Sequence, residues 1–493
     1  MKKIVSKFRH KADLKQFERL IKSSGLFDVE YYLKNNPDVA ENKISPILHY
    51  IIDGWREGRD PSPHFSTNGY LAMNEDVKLA GLNPLLHYIK NGKSEGRVFF
   101  RMPETAKIGN VSAVLAERFP TLSPLSCYQI PNRDRVRINI VTDSINAGSL
   151  FGGVITALIF AFHLAEKNSA DVRIITRSEE AEKFRINEVL ENIGISFNGQ
   201  IEFLYAHFAS KVEIDICEKD QFITTSWWTT YCTLKSISVD KVIYILQEDE
   251  RMFYPYGDDH LLAHEMMSHP QLRYVINTKL LFEHLVDSGL DNLTRNGRYF
   301  EPAFDKNNYY FSTTQNTEKL KLFFYARPNN LRNIFYRGIF ILDKATNSQI
   351  IDIKEWDIYL VGKDLPENLT FTNGYQPKII SNMNYKEYGD FIRTVDLGFS
   401  LMYTPHPSYP PLDLAACGAA VVTNSCGNKT ELTKYSPNII TVSTDEEALL
   451  NGLVEGVALA KNRKQRLHNY ENSLLNRDWN AVMTDFVKKI DLV

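Results

Sequence analysis

The apolar positions change their period along the chain, and the changes mark out its elements. Short runs of branched and aromatic residues stand at VRINIVTD (136–143), DVRIITR (171–177), IEFLYA (201–206), DQFITTSW (220–227), KVIYILQ (241–247) and RYVIN (273–277). Runs of this kind read as strands buried on both faces, the pattern of a parallel sheet. Between the first two lies the helical stretch VITALIFAFHLAEKN, entered through the turn SINAGSLFGG, which carries Gly148, Gly152 and Gly153. This is a βαβ unit with a glycine-rich first turn, where backbone can approach a substrate at a strand's carboxyl end. A second alternation opens at KLKLFFYA (319–326). It continues through helix NIFYRGIFILDKA, strands EWDIYLVG and PKIISN, helix NYKEYGDFIRTV, strand DLGFSLM, helix LDLAACG and strand AAVVTN. The amphipathic stretch WNAVMTDFVKKI is expected to close this second half. Two serial α/β halves, 136–318 and 319–493, place a cleft between them, the usual position for a ligand.

The front of the chain follows another rule. FDVEYYLKNNPDVAENKISPILHYIIDGWREGR (27–59) aligns without a gap on FSTNGYLAMNEDVKLAGLNPLLHYIKNGKSEGR (65–97). Each unit predicts short helices, the later one starting at Pro46 or Pro84, with Gly54 and Gly92 expected as capping glycines. His49 and His87 sit in apolar helical patterns, which favours packing over metal ligation. Residues 1–100 therefore form a helical repeat module, and 101–135, rich in Pro and polar residues, is expected as a linker. This repeat resembles N-terminal extensions of bacterial polysaccharide glycosyltransferases.

Composition adds bounds. The chain has 493 residues, 43% of them apolar, and a net charge of −3, which argues against bulk nucleic-acid binding. Five cysteines form no CxxC pair and suit a reducing cytoplasm. The longest apolar stretch, 150–165, is shorter than the roughly 20 residues of a bilayer span. The first 22 residues are basic without an apolar core behind them, so peripheral contact with a membrane surface is expected there, and no signal peptide.

Three places carry candidate chemistry. YTPHPSYPPLDLAACGAAVVTN (403–424) sets a proline-stiffened loop before a helix, so backbone N–H groups around His406, Ser408 and Tyr409 are expected to face an anion. Asp413, in the helix, is placed to accept from a ribose-like hydroxyl; its plain alternative is a first-turn helix acid. Arg327 follows the strand KLKLFFYA, Arg332 lies shortly after it, and Lys363 follows EWDIYLVG. Guanidinium forks at strand ends suit diphosphate oxygens, the plain alternative for Arg327 being a surface ion pair. QEDERMFYPYGDD (247–259) follows an apolar strand. Gln247, Glu248, Glu250 and Tyr254 are expected to recognise the acceptor or sugar hydroxyls. The alternatives are a solvated acidic loop, or a divalent-metal site on Glu248, Asp249 and Glu250.

Taken together, these features resemble a GT-B glycosyltransferase: two Rossmann-like domains facing a cleft, behind a small helical module. The second half is similar to the retaining family 4, whose signature has two glutamates a fixed distance apart, the second on a small-residue helix ending in Gly. Asp413-Leu414-Ala415-Ala416-Cys417-Gly418 matches its second part, and the first glutamate falls at Pro405. Phe324-Tyr325-Ala326-Arg327-Pro328, the run 405–412, and Gln247 to Glu250 leading to Phe253-Tyr254-Pro255 resemble bacterial rhamnosyltransferases of the rhamnan-synthesis type. The resemblance implies transfer of L-rhamnose from dTDP-L-rhamnose to a glycan or lipid-linked glycan, retention of configuration, no metal and no cofactor. It puts Arg327, Gly152 and Gly153 at the reacting centre, with the leaving diphosphate itself taking the acceptor's proton. Two other readings stay open: a metal-dependent GT-A-like enzyme, and a non-catalytic sugar-binding or scaffold subunit.

Overall fold

The computed structural model describes residues 11–97 and 111–490, apart from 42–43, 132, 147–151, 184–185, 187–189, 191–193, 211, 314–318 and 382. Gly148 and the basic residues Lys2, Lys3, Lys7 and Arg9 lie outside the described residues. The chain divides into two compact units, Met1–Leu115 and Ala116–Val493.

In the first unit the repeat is physical as well as sequential. Tyr32 donates to or accepts from His49 Nδ1 at 2.9 Å, and Tyr70 pairs with His87 Nδ1 at 3.0 Å. Arg59 grips Asp38 and Asn36, and Arg97 grips Asp76 and Asn74, at matching distances. Each histidine is thus a packed hydrogen-bond partner. The Tyr50 hydroxyl meets Thr67 Oγ1 at 3.0 Å and joins one repeat unit to the next. Gly54 and Gly92 are not capping glycines. They end single π-turns, Tyr50–Gly54 and Tyr88–Gly92, and the left-handed residues are Gly58 and Gly96. The glycines serve close approach: a Cβ on Gly54 would stand 2.2 Å from Tyr32 Oη, and one on Gly92 2.3 Å from Tyr70 Oη.

Among its described residues the second unit holds fifteen strands. They run β1 (Ser126–Gln129), β2 (Arg137–Thr142), β3 (Asp171–Thr176), β4 (Ile201–Tyr205), β5 (Glu213–Ile216), β6 (Gln221–Thr224), β7 (Val242–Leu246), β8 (Arg273–Asn277), β9 (Gly297–Phe300), β10 (Leu320–Ala326), β11 (Trp356–Gly362), β12 (Lys378–Ser381), β13 (Leu397–Ser400), β14 (Ala420–Asn424) and β15 (Ile439–Val442). One parallel sheet has the order β4-β3-β2-β6-β7-β8-β9 and the other β12-β11-β10-β13-β14-β15. Both are doubly wound. The strand order reverses beside β2 and beside β10, and crevices form at the carboxyl ends of such strands. The turn after β2 carries Gly152, and the turn after β10 carries Arg327.

Three expectations change. The stretch 101–135 is more than a linker: it contains helix Val111–Arg118 and strand β1, which pairs with β5 in a small separate sheet. Ser-Cys-Tyr-Gln is too short and too polar to announce itself as a strand. The run DQFITTSW stops being a strand at Thr224, because Ser226 caps a helix from Trp227 to Leu234. Finally, the closing helix Trp479–Lys489 leaves the second half and packs on helix Gly153–Lys167 of the first. Trp479, Met483, Phe486 and Val487 join the core formed around Ile138 and Phe160, and Lys167 Nζ donates to Val487 O at 2.6 Å. Its apolar stripe matches an uncovered helix of the first sheet, and sequence order does not constrain which half supplies that surface.

The repeat geometry makes a direct prediction. Gly54→Ala should push Tyr32 off its place and destabilise the module by about 1–3 kcal/mol, as overpacking of a tight site does. Hydrogen exchange on the full chain should then speed up across 27–97 and stay unchanged in the two sheets. Unchanged protection at Tyr32 and Tyr50 would remove the close-approach reading.

Candidate active site

A cleft of about 510 Å³ opens at the carboxyl ends of both sheets. That size suits a nucleotide-sized ligand. Of the residues singled out from sequence, Gly152, Gly153, Gln247, Glu248, Arg327, Arg332, Lys363, His406, Ser408, Tyr409 and Asp413 line it; Glu250 and Tyr254 do not.

From the first half comes the turn at Gly152, whose φ of 50° and ψ of −104° suit glycine alone. A Cβ there would press on the Tyr409 ring at 3.2 Å. Gly153 opens the helix, and a Cβ on it would meet the Gln247 side chain at 3.2 Å, so crowding at this position acts through Gln247. Gln247 donates from Nε2 to Gly153 O at 2.6 Å, and its buried Oε1 has no protein partner among the described residues.

Tyr409 ties the halves together. Asn277 Nδ2 donates to its hydroxyl at 2.8 Å, and that hydroxyl meets Thr156 Oγ1 at 2.6 Å. Thr156 in turn donates to Gly152 O at 2.7 Å. One direction satisfies all three contacts: Asn277 to Tyr409, Tyr409 to Thr156, Thr156 to Gly152. Neither Asn277 nor Thr156 was singled out from sequence, since both sit inside ordinary strand and helix patterns.

The second half supplies cations. The Arg327 backbone N–H donates to Asn333 Oδ1 at 2.7 Å, and Asn333 Nδ2 donates to Tyr325 O and Leu401 O. Asn333 thereby fixes the turn after β10 against the loop after β13. The Arg327 guanidinium touches the Tyr325 hydroxyl at 3.4 Å. Burial and the neighbouring charge of Arg327 together hold the Lys363 ammonium below its ordinary value. Two cations that repel across one cleft wall define a place for an anion.

The prolyl loop works differently from its sequence expectation. The His406 N–H already donates to Thr404 Oγ1 at 3.2 Å, and the Ser408 N–H donates to His406 Nδ1 at 2.9 Å. The helix Tyr409–Ala416 has Pro410 and Pro411 in its first turn, so two of its end N–H groups do not exist. The N–H groups of His406 and Ser408 are therefore spent, and positions 410 and 411 have none. What remains is side chain: His406 Nε2 and Ser408 Oγ are buried with no protein partner among the described residues. Because Nδ1 accepts from Ser408, Nε2 carries the proton. Burial, with Lys429 and Arg332 nearby, lowers the imidazole to about 3, so it is a neutral donor. Ser408 sits at a φ of 67°, in the left-handed region.

Asp413 is enclosed by Tyr309, Tyr385 and Tyr388, and Tyr388 Oη lies 3.3 Å from its Oδ2. Burial pushes the Asp413 carboxyl up to about 8. It stands neutral at pH 7, able both to donate to and accept from a hydroxyl. Sequence reading missed the tyrosines because Tyr309 precedes β10 while Tyr385 and Tyr388 share the helix Tyr385–Ile392, and only the fold brings both segments to Asp413.

The three successive acids point three ways. Glu248 pairs with Arg332 and accepts from Thr404 Oγ1 at 2.8 and 2.9 Å. Asp249 binds Arg251 at 2.7 Å and faces His284 at 3.4 Å, which hold it down at about 2. Glu250 accepts from the Trp227 N–H at 2.7 Å, capping that helix, and burial raises it to about 8. Tyr254 accepts from Trp227 Nε1 at 3.1 Å. Glu250 and Tyr254 therefore support the Trp227 helix instead of facing a sugar. The three acids point to different partners, and the architecture of two facing Rossmann-like sheets is not that of the GT-A fold.

Comparison with known proteins agrees with this architecture. The description "WsaF, N-terminal domain" matches residues 137–279, and "WsaF, C-terminal domain" matches 320–454. The O-antigen biosynthesis protein RfbC of Myxococcus xanthus is 28% identical over 278 residues, which are 55% of this chain and 20% of that protein. The chain thus spans about a fifth of that relative's length. Among solved structures, Anabaena HepE in complex with UDP-glucose superposes with a TM-score of 0.53 at 12% identity, over 72% of this chain and 99% of that one. HepE with UDP and glucose gives 0.52 at 12%, over 73% and 100%.

Asp413 yields a prediction about pH. Its carboxyl is 3.8 in ordinary surroundings and about 8 when folded. Between those values the native state holds a proton that the unfolded state releases, so stability falls as pH rises through that window. Asp413→Asn removes the titration and keeps a group for Tyr388 to bond. Its melting temperature should decline less from pH 5 to pH 8 than the parent's; Glu250 titrates the same way in both proteins and cancels. Parallel profiles would show that Asp413 is charged. With doubly wound sheets and a cleft at their strand ends, the chain carries the N-terminal and C-terminal WsaF domains in series and has the GT-B fold.

Proposed function

We propose that the chain transfers L-rhamnose from dTDP-L-rhamnose to a growing bacterial surface polysaccharide, retaining anomeric configuration and using no metal. The observation that carries the donor reading is the unmet demand of the cleft. Arg327 and Lys363 repel each other there, and His406 Nε2, Ser408 Oγ and Gln247 Oε1 are buried without protein partners among the described residues. A nucleoside diphosphate sugar relieves the first and satisfies the second. Arg327, Lys363, His406 and Ser408 take the diphosphate, Asp413 a hydroxyl of the nucleoside's sugar, and Gln247 a hydroxyl of the transferred hexose or acceptor. The rhamnose assignment draws on the sequence motifs around Arg327, Gln247 and the prolyl loop. The name of the relative from Myxococcus xanthus supports a polysaccharide setting.

In this scheme the acceptor oxygen bonds to the anomeric carbon while the bond to the diphosphate breaks. The acceptor's proton passes to the departing phosphate oxygen. Growing negative charge is met by fixed donors, which is where catalysis gains most. Gly152 and Gly153 keep the opposite wall low enough for the acceptor. The acceptor is a glycan or lipid-linked glycan at the inner face of a membrane, with the repeat module and basic first residues as the docking part. Among the described residues no helix is long and apolar enough to cross a membrane. HepE's complex with UDP-glucose favours one second reading, a UDP-hexose donor.

A panel of dTDP-, UDP- and GDP-sugars tests the proposal. Transfer from dTDP-L-rhamnose in the presence of EDTA is expected; restoration only by Mn²⁺ or Mg²⁺ would overturn the metal-free scheme, and turnover of another donor alone would overturn the sugar. Arg327→Ala should lower kcat/KM by about 10²-fold, the scale of a lost donor to a departing anion. Near-normal kinetics in a folded variant would remove Arg327 from the site.

A further inference from the structure

One carboxylate crosses the cleft. Glu248 stands just beyond β7 in the first half, yet both its partners belong to the second: Arg332 and Thr404. Arg332 is also held from the first-half side, with its guanidinium 4.4 Å from the Phe253 ring centre. Cationic and neutral groups also surround Glu248, against the like charge of the adjacent Asp249. Lys429, fully buried, lies close enough for its charge to act on Glu248, and His406 Nδ1 is 3.9 Å from Oε1. Among the described residues lining the cleft, the acids are Glu248 and Asp413. Arg332 differs from Arg327 in this respect: among the described residues no carboxylate reaches ion-pair distance of Arg327, whereas Arg332 is already neutralised.

We propose that Glu248 is a clasp that holds Arg332 in place of an anion and is displaced by the donor's diphosphate. This rests on reading the cleft as a nucleoside diphosphate site. The exchange has a physical direction. A diphosphate carries more charge than one carboxylate and meets Arg327 and Lys363 as well as Arg332, so it wins the competition. Glu248, repelled by the incoming anion, has to turn from Arg332 towards the mouth of the cleft, where the acceptor enters. Donor binding thereby frees both an inter-half bond and an acceptor for hydroxyl groups. Binding is ordered, donor before acceptor.

The test is the affinity for inorganic pyrophosphate, measured by calorimetry on the full chain. Glu248→Gln keeps the shape and the contact with Thr404 but removes the competing charge. It should bind pyrophosphate about tenfold tighter than the parent, the effect of removing one modest ion pair from competition. Thr404→Val, which loosens the other arm, should shift affinity in the same direction. In an Arg332→Gln background, Glu248→Gln should add no further tightening, because the clasp acts through Arg332. Unchanged or weaker binding by Glu248→Gln overturns the clasp, as does a gain that persists without Arg332. The donor reading fails separately: a clasp effect on pyrophosphate with no binding of any nucleotide sugar in the panel would leave the clasp standing over a different anion.

Discussion

The site exists only while two independent sheets hold one register, and a single phenol fixes much of it. Tyr409 belongs to the second half, yet its hydroxyl is spent on Asn277 and Thr156 of the first. Through Thr156 the contact reaches the carbonyl of Gly152, whose backbone conformation no other residue adopts cheaply. A strained turn, a helix start and a prolyl loop thus share one hydrogen-bond chain. Such chains strengthen when all members are satisfied and lose disproportionately when one is cut. The terminal helix adds an apolar tie, since Phe486 packs on Phe160 after the chain has traversed the other half.

The order of strands and helices was largely legible because parallel strands buried on both faces announce themselves as unbroken apolar runs. β2, β3, β7, β8, β10 and β14 all stand where such runs stand. Two short edge strands were not legible: β9 and β15 are four residues each, with little pattern to read. Placement of the last helix was not legible either, because an amphipathic stripe specifies that it must be covered and leaves open by what. For the cleft, residues at strand ends could be nominated singly. Their company could not, since Tyr309, Tyr325 and the helix that carries Tyr385 and Tyr388 are separated in sequence and meet only through the sheet order.

Charge distribution explains why some nominated residues moved. Adjacent like charges are tolerated when each finds a different partner. Glu248, Asp249 and Glu250 do this by diverging towards Arg332, towards Arg251 and His284, and towards a helix N-terminus. A sequence shows three acids in a row and cannot show the directions, because those depend on where Trp227 and Arg332 arrive from elsewhere in the chain. The same ambiguity attached to the paired histidines of the repeat, which the fold resolves as partners of Tyr32 and Tyr70.

The prolines before helix Tyr409–Ala416 carry the last step. A helix N-terminus binds anions through free N–H groups. Here Pro410 and Pro411 delete two of them, and Thr404 Oγ1 and His406 Nδ1 occupy two more in the loop. What the prolines contribute is rigidity: with the backbone fixed and self-satisfied, the imidazole of His406 is locked in one tautomer and presents Nε2–H. The unpartnered buried polar atoms of this loop among the described residues belong to side chains, His406 Nε2 and Ser408 Oγ. A backbone site binds any phosphate of the right size, whereas a neutral imidazole and a hydroxyl offer one donor each in fixed positions, beside a carboxyl that is itself uncharged. Such a wall offers geometry more than charge; the cleft's cationic side chains are those of Arg327, Lys363 and the Glu248-paired Arg332 among the described residues.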